Sequence, residues 1–222
     1  LAALVELLDS RFSDAAVLDF VNLPPVRLRF GFDDDDLATL AEWVDTANTR
    51  WGIDGDHRAR WGVPRDYDDG TWAVAIDRLL LGAMISDDAN SLGPGEVLPI
   101  GVEGGGVSLA GRFADLLGRL AALAEDVRRP RPALDWVLML QGAADTLLAA
   151  EPTAAWQSGQ LSNVLQSIAA QVAIGDEACG VELTLADVRG MLGGQLQGTP
   201  GRSDFFRGGI TVSSLTPLRG IP

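Results

Sequence analysis

Ser108-Leu109-Ala110-Gly111-Arg112-Phe113-Ala114-Asp115-Leu116-Leu117-Gly118-Arg119-Leu120-Ala121-Ala122-Leu123 is the stretch that decides the fold class. Leu109, Phe113, Leu116, Leu117, Leu120 and Leu123 recur at three- and four-residue spacing. That is the period of an α-helix with one buried face. Arg128-Arg129-Pro130-Arg131-Pro132 ends the pattern. Proline lacks the backbone donor and restrains the residue before it.

The same spacing extends outward in both directions. Upstream, Leu37, Leu40, Ala41, Val44 and Ala47 share a face behind Asp33–Asp36. Acids at a helix start stabilise its unpaired N–H groups and positive dipole end. Trp72, Ile76, Leu79, Leu80 and Ala83 form another stripe, entered through Asp68-Asp69-Gly70-Thr71. Downstream, one helix carries Trp136, Val137, Leu140, Leu147 and Leu148, and one after Pro152 carries Trp156, Val164, Leu165, Ile168 and Val172. A further helix starts at Thr184 with Leu185, Val188 and Leu192. Shorter helices are predicted at Leu1–Leu8 and Ser13–Val21, the second capped by Ser13. Ile210-Thr211-Val212-Ser213-Ser214-Leu215 is β-branched, alternates, and comes after Gly208-Gly209, so it reads as a strand. The fold class is therefore mainly α, with a short β segment at the C-terminal end.

Loops are predicted at 52–70, 87–106 and 197–208. The middle one holds Gly93, Gly95, Gly101 and Gly104–Gly106, which makes it the expected domain boundary. The division is 1–105, an acidic helical subdomain; 106–200, a second helical subdomain; and 201–222, a segment containing the strand and its C-terminal motif.

Composition narrows the function. The chain has 222 residues, 47% hydrophobic and 22% charged, which suits a globular protein. Its 17 bases are all Arg, against 31 acids, for a net charge of −14. The absence of Lys excludes a Schiff-base lysine and a phosphate-loop lysine in this chain. The acid excess argues against a stand-alone nonspecific nucleic-acid binder. Residues 1–105 hold 20 acids and 8 Arg, giving −12, and residues 106–222 hold 11 acids and 9 Arg, giving −2. The single Cys179 cannot form an internal disulfide, which points to a reducing compartment and a cytoplasmic location. No apolar run approaches the roughly 18 residues of a membrane span, and Leu1–Leu8 lacks a signal-peptide pattern. A first residue of Leu suggests an internal piece of a longer protein.

The chemistry-bearing residues have plain readings beside the functional ones. Asp33–Asp36 fits a helix start better than a cation site. Asp66, Asp68 and Asp69 precede Gly70, but the calcium-loop pattern needs an acid or Asn where Gly70 stands. Capping of the Trp72 helix is the better reading. The glycines at 101–106 do not match G-x-G-x-x-G and read as a flexible linker. His57 is the only histidine, and no G-x-S-x-G accompanies it. It is expected in a surface loop beside Arg58 and Arg60, and Cys179 as a small apolar group. No catalytic residue, metal site or cofactor is predicted. Trp43, Trp72, Trp136 and Trp156 are expected to pack between helices. Trp51 and Trp61 flank the loop that carries Arg50, Arg58 and Arg60. Arg50, Arg58, Arg60 and Trp61 are the loop residues best suited to touching nucleic acid or a partner. The same mixture also suits internal cation–π packing.

At the C-terminus, Phe205-Phe206-Arg207-Gly208-Gly209-Ile210 leads into Ser214-Leu215-Thr216-Pro217-Leu218-Arg219-Gly220-Ile221-Pro222. This resembles the exodeoxyribonuclease V gamma-subunit (RecC) family, which shows a strand followed by T-L-x-P-M-R-x-I-P. Val44-Asp45 with Arg50-Trp51-Gly52-Ile53-Asp54 is similar to that family's W-[VI]-x…R-W-G-[IL]-D stretch. Thr71-Trp72…Asp77-Arg78-Leu79-Leu80-Leu81-Gly82 resembles its T-W-x-x-G-L-x-R-[ML]-L-L-G helix, and Val97-Leu98-Pro99 its V-L-P.

The resemblance implies a superfamily 1 helicase-like domain that has lost its ATPase residues. This chain would be its helical, bundle-like insert, with 201–222 the start of the returning core. It implies RecB-like and RecD-like partner subunits, DNA bound in the intact complex, no membrane, and a fragment with no activity of its own. It implies scaffolding, strand guidance and scanning for the Chi sequence during double-strand-break repair. Active helicases of the superfamily carry T-[IL]-H-x-[AS]-K-G-[LM]-E after such a strand. By position, Thr216 replaces the His, Arg219 the Lys and Pro222 the acid, while Gly220 keeps the turn. Arg219, with Thr216, Ser214 and Arg207, is thereby implied as a DNA-backbone contact, because a guanidinium can grip phosphate bidentately. The alternative is a helical protein–protein docking module without DNA contact.

Overall fold

The computed structural model describes residues 1–84, 98–102, 104–154, 156–172 and 181–196. Among them the chain is mainly helical. In order come α1 (Ala2–Leu8), α2 (Asp14–Val21), α3 (Pro24–Phe30), α4 (Asp34–Thr46), α5 (Gly55–Ala59), α6 (Trp72–Met84) and α7 (Gly106–Asp126). Next come β1 (Arg131–Pro132), α8 (Ala133–Leu147), α9 (Trp156–Val172), β2 (Glu182–Leu183) and α10 (Leu185–Leu196). The predicted helices all form, with ends shifted by a few residues.

Helix α7 is the longest described element, and its stripe is the floor of the core. Phe113, Leu116 and Leu120 are fully buried there. Helix α6 lies along it, and α1, α3 and α8 touch it as well. The Trp72 ring meets Phe113 edge-on at 6.0 Å. Helix α1 also packs on α10, so helices from both sides of residue 105 share this core.

Local chemistry sets the helix ends. Ser13 Oγ accepts from the Ala16 N–H at 3.2 Å and caps α2, as expected. Asp33 and Asp36 form a capping box at α4, each carboxylate accepting from the other's backbone N–H at 2.8 and 3.3 Å. Asp34 pairs with Arg27 at 2.6 Å and Asp36 with Arg112 at 3.0 Å. The acidic run is thus a helix start tied to its neighbours.

Several expectations need correction. Helix α3 has no counterpart in the expected helices; Pro24 and Pro25 pre-set its first turn, and Gly31 at φ +66° ends it. Helix α5 lies inside the predicted 52–70 loop, nucleated by Asp54. Arg131-Pro132, expected only to break a helix, pairs antiparallel with Glu182-Leu183. Trp136 Nε1 donates to Leu183 O at 2.8 Å and ties that ribbon to α8. Trp43, Trp72 and Trp136 are buried as expected, but Trp156 is 64% exposed. At α6 it is Thr71 Oγ1 that accepts from the Val74 N–H, at 3.4 Å, instead of an aspartate.

The described part of the predicted 87–106 loop is docked at Leu98, Ile100 and Val102. Ile100 and Val102 are buried, and the Ile100 N–H donates to Arg78 O at 3.1 Å. Arg78 Nε donates to Leu98 O at 2.8 Å. A Cβ on Gly82 would sit 1.7 Å from Ile100 O, so only glycine admits this close approach. The predicted strand at 210–215, Cys179 and the 197–208 loop lie outside the described residues.

Candidate functional site

The stretch Arg50-Trp51-Gly52-Ile53-Asp54 stands where three helices begin. A helix start leaves its first N–H groups without intrahelical partners. Here the stretch supplies those acceptors. Arg50 O accepts from the Asp14 N–H at 3.1 Å, at the start of α2. Gly52 O accepts from Trp72 at 3.0 Å and Ile53 O from Ala73 at 2.8 Å, at the start of α6. Asp54 Oδ1 accepts from the His57 N–H at 2.7 Å and caps α5.

The stretch also donates. The Gly52 N–H donates to Arg11 O at 2.9 Å and Phe12 O at 3.2 Å, and the Arg50 N–H to Gly70 O at 2.9 Å. The Trp72 indole N–H donates to Phe12 O at 2.9 Å. Gly52 has φ +84°, and a Cβ there would lie 2.7 Å from Arg58 Cγ. Glycine is required by both conformation and space.

Arg58 locks the arrangement. It is 7% exposed. Its Nε and Nη2 donate to Trp51 O at 3.1 and 2.8 Å. Its Nη1 donates to Tyr67 O at 3.1 Å and Asp69 O at 2.7 Å. The guanidinium lies 4.9 Å from the Trp51 ring centroid. Burial pulls its pKa below the ordinary value, and Asp68 and Asp69 oppose that shift. One planar fork thereby closes the 59–70 segment onto the Arg50–Asp54 stretch.

His57 is 2% exposed, contrary to the surface-loop expectation. The helix α5 turns it inward, against Phe12 at 5.4 Å and Trp61 at 4.9 Å. Neither ring nitrogen has a hydrogen-bond partner. Burial, and then Arg60, lower its pKa from 6.5 to about 4; Asp54 opposes the shift and Arg128 adds to it. The folded pKa is below the unfolded one, so the unfolded chain takes up the proton first. Stability is full above about pH 6.5 and falls as pH drops toward 4, by up to ~3 kcal/mol. His57→Leu should flatten that part of the stability profile, read by urea denaturation at stepped pH.

The four loop residues chosen from sequence therefore divide. Arg58 turns inward. Arg50 is exposed and donates to Asn48 Oδ1 at 2.6 Å. Arg60 pairs with Glu125 at 3.3 Å. Trp61 is 36% exposed and meets Trp51 edge-on at 5.8 Å. The structure adds Arg11, which sequence reasoning missed; its guanidinium lies 5.8 Å from both the Trp51 and Trp61 rings. Lying some 40 residues away in sequence, it gave no local signal. Arg207, Ser214, Thr216 and Arg219 lie outside the described residues. Among the described residues no three His, Cys, Asp or Glu side chains converge as metal ligands. No described helix is long and apolar enough to cross a membrane.

Comparison with known proteins agrees along the whole chain. The family model described as RecBCD enzyme subunit RecC fourth domain matches residues 1–200. The chain is 37% identical over 222 residues to the RecBCD enzyme subunit RecC of Mycolicibacterium smegmatis, covering all of this chain and 20% of that protein. It is 34% identical over 222 residues to that of Mycobacterium tuberculosis H37Rv, again covering all of this chain and 20% of the relative. To that of Escherichia coli K12 it is 26% identical over 221 residues, 99% of this chain and 19% of the relative. The chain thus spans about one fifth of the length of the curated relatives it matches. With the family model matching residues 1–200 and these relatives aligned along the chain, the chain belongs to the RecC family and matches its fourth domain.

Proposed function

We propose that this chain is a noncatalytic domain of a RecBCD-type helicase–nuclease complex in the cytoplasm. Its work is scaffolding, guidance of a DNA strand and support of Chi scanning, beside RecB-like and RecD-like subunits. The observation that carries this reading is the end-to-end alignment with RecC proteins over one fifth of their length. The family's recognisable Arg50–Asp54 stretch acts within the chain as a junction of helix starts, which suits a scaffold. On this reading the fold is the helical insert of a degenerate superfamily 1 helicase-like domain. Residues 1–105 and 106–200 are its two helical subdomains, and 201–222 re-enters the core, with Arg219, Thr216, Ser214 and Arg207 toward the DNA backbone.

The test is DNA binding by the intact heterotrimer carrying Arg219→Ala. Loss of one phosphate contact should lower the slope of log affinity against log salt by about 1 and weaken binding several-fold. Unchanged affinity, salt slope and Chi response would remove Arg219 from the DNA contacts.

One observation favours the second reading, a docking module. Leu134 and Leu138 lie one turn apart on α8 and are 61% and 59% exposed. Paired exposed leucines on a helix suit a partner subunit's apolar surface. Leu138→Asp should then weaken subunit assembly and leave the salt slope for DNA unchanged.

A further inference from the structure

We infer that the groove between α1 and α2 is a docking site for a basic side chain, Lys or Arg, carried by a partner subunit. This rests on the proposed function, which supplies that partner. The two helices line the groove with one repeated pattern. Ala3, Glu6 and Leu7 come from α1, and Ala16, Asp19 and Phe20 from α2. Each set is spaced i, i+3, i+4, so each is one helix face turned toward the groove. Leu7 and Phe20 are buried and make the floor. Ala3 and Ala16 are half-buried, and Glu6 and Asp19 are exposed at the rim.

The chain leaves these two carboxylates unanswered. Among the described residues neither has an ion-pair or hydrogen-bond partner. By contrast Asp9, at the end of the same α1, pairs with Arg189 of α10 at 2.6 Å. The groove between α7 and α8 also differs, because its Glu125 and Asp126 are held by Arg128 and Arg131 at 2.6 and 3.1 Å. A cleft lined by one sign of charge over apolar walls focuses that field. Residues 1–105 carry −12 around it. A phosphate backbone is therefore repelled here and a cation is drawn in.

Size fixes the form of the occupant. The cavity is about 350 Å³. One helical turn with its side chains, about 10 Å across and 5.4 Å tall, fills roughly 420 Å³. The groove thus admits side chains from a segment lying across it, and not the segment itself. Lys and Arg match both of its surfaces. The apolar stem covers Leu7 and Phe20, and the charged head stays at the wet rim with Glu6 and Asp19.

The test labels carboxylates with a carbodiimide and glycine ethyl ester, in the free full-length chain and in the intact complex. Glu6 and Asp19 should be modified in the free chain and protected in the complex. Glu6→Arg with Asp19→Arg should weaken subunit association about tenfold, and Glu6→Gln with Asp19→Asn, which keeps the shape, about threefold. Glu42→Arg with Asp45→Arg makes the same charge change on the exposed side of α4 and should leave association within about twofold. Equal labelling of Glu6 and Asp19 in the free chain and the complex would overturn the docking site while the proposed function stands. Protection already present in the free chain would assign the groove to another part of its own polypeptide, and protection that requires DNA would assign it to nucleic acid; either overturns the inference. An equal loss from both charge reversals would trace the effect to net charge and overturn it too. If the unaltered full-length chain joins no partner subunit, both readings fail.

Discussion

Trp72→Ala should lower the unfolding free energy by about 4 kcal/mol, the largest loss expected from one side chain here. The indole is 2% exposed and meets Phe113 edge-on, so truncation opens a cavity where α6 crosses the floor of the core. It also deletes the donor to Phe12 O, which links the start of α6 to the turn before α2. Trp72→Phe separates the two causes. It keeps most of the apolar volume, removes the N–H, and should cost about half as much, because Phe12 O still accepts from Gly52. Urea denaturation with an unchanged m-value checks both. A tryptophan serving as a base-stacking surface would show little loss in the same experiment.

Arg58→Ala is the second large effect, at about 3 kcal/mol, because one buried guanidinium serves the part-buried carbonyls of Trp51, Tyr67 and Asp69. Removing it leaves part-buried acceptors without their donor, and each costs about 1–3 kcal/mol where no water reaches it. Arg58→Lys should recover less than half of the loss, because an ammonium cannot span the three acceptors as a planar fork does. On the proposed function, the salt slope of DNA binding by the intact complex should stay unchanged in Arg58→Lys, which marks this arginine as framework although it stands in the same loop as Arg50 and Arg60.

Much of the fold was legible in the sequence. The α7 stripe, the Asp33 cap of α4 and the Ser13 cap of α2 come from spacing and short side-chain chemistry alone. Helix α3 escaped because it is seven residues long and begins with two prolines, which read more readily as a turn. Helix α5 escaped because it is five residues long and held by Asp54 and by Arg58's tertiary contacts. The β1–β2 ribbon joins segments about fifty residues apart, and no local pattern marks such a pairing.

The site was legible in part. The Arg50–Trp61 loop is identifiable as the place where cations and aromatics meet. Its division into an inward Arg58 and an outward Arg60 and Trp61 depends on the turn of α5, which has no sequence signal of its own. For the same reason the surface position expected for His57 fails, since α5 buries it. Arg11 and Arg128 join the loop only through tertiary packing.

Hydrogen exchange in the full-length protein tests most directly the central claim that the Arg50–Asp54 stretch is internal framework. The amides to monitor are Gly52, Trp72 and Ala73, which donate to Arg11 and Phe12, to Gly52, and to Ile53. As framework they should open only with the domain as a whole, with the same free energy as the α7 core amides of Leu116 and Leu120. Exchange of these three amides through local opening, while the α7 amides stay protected, would contradict the account.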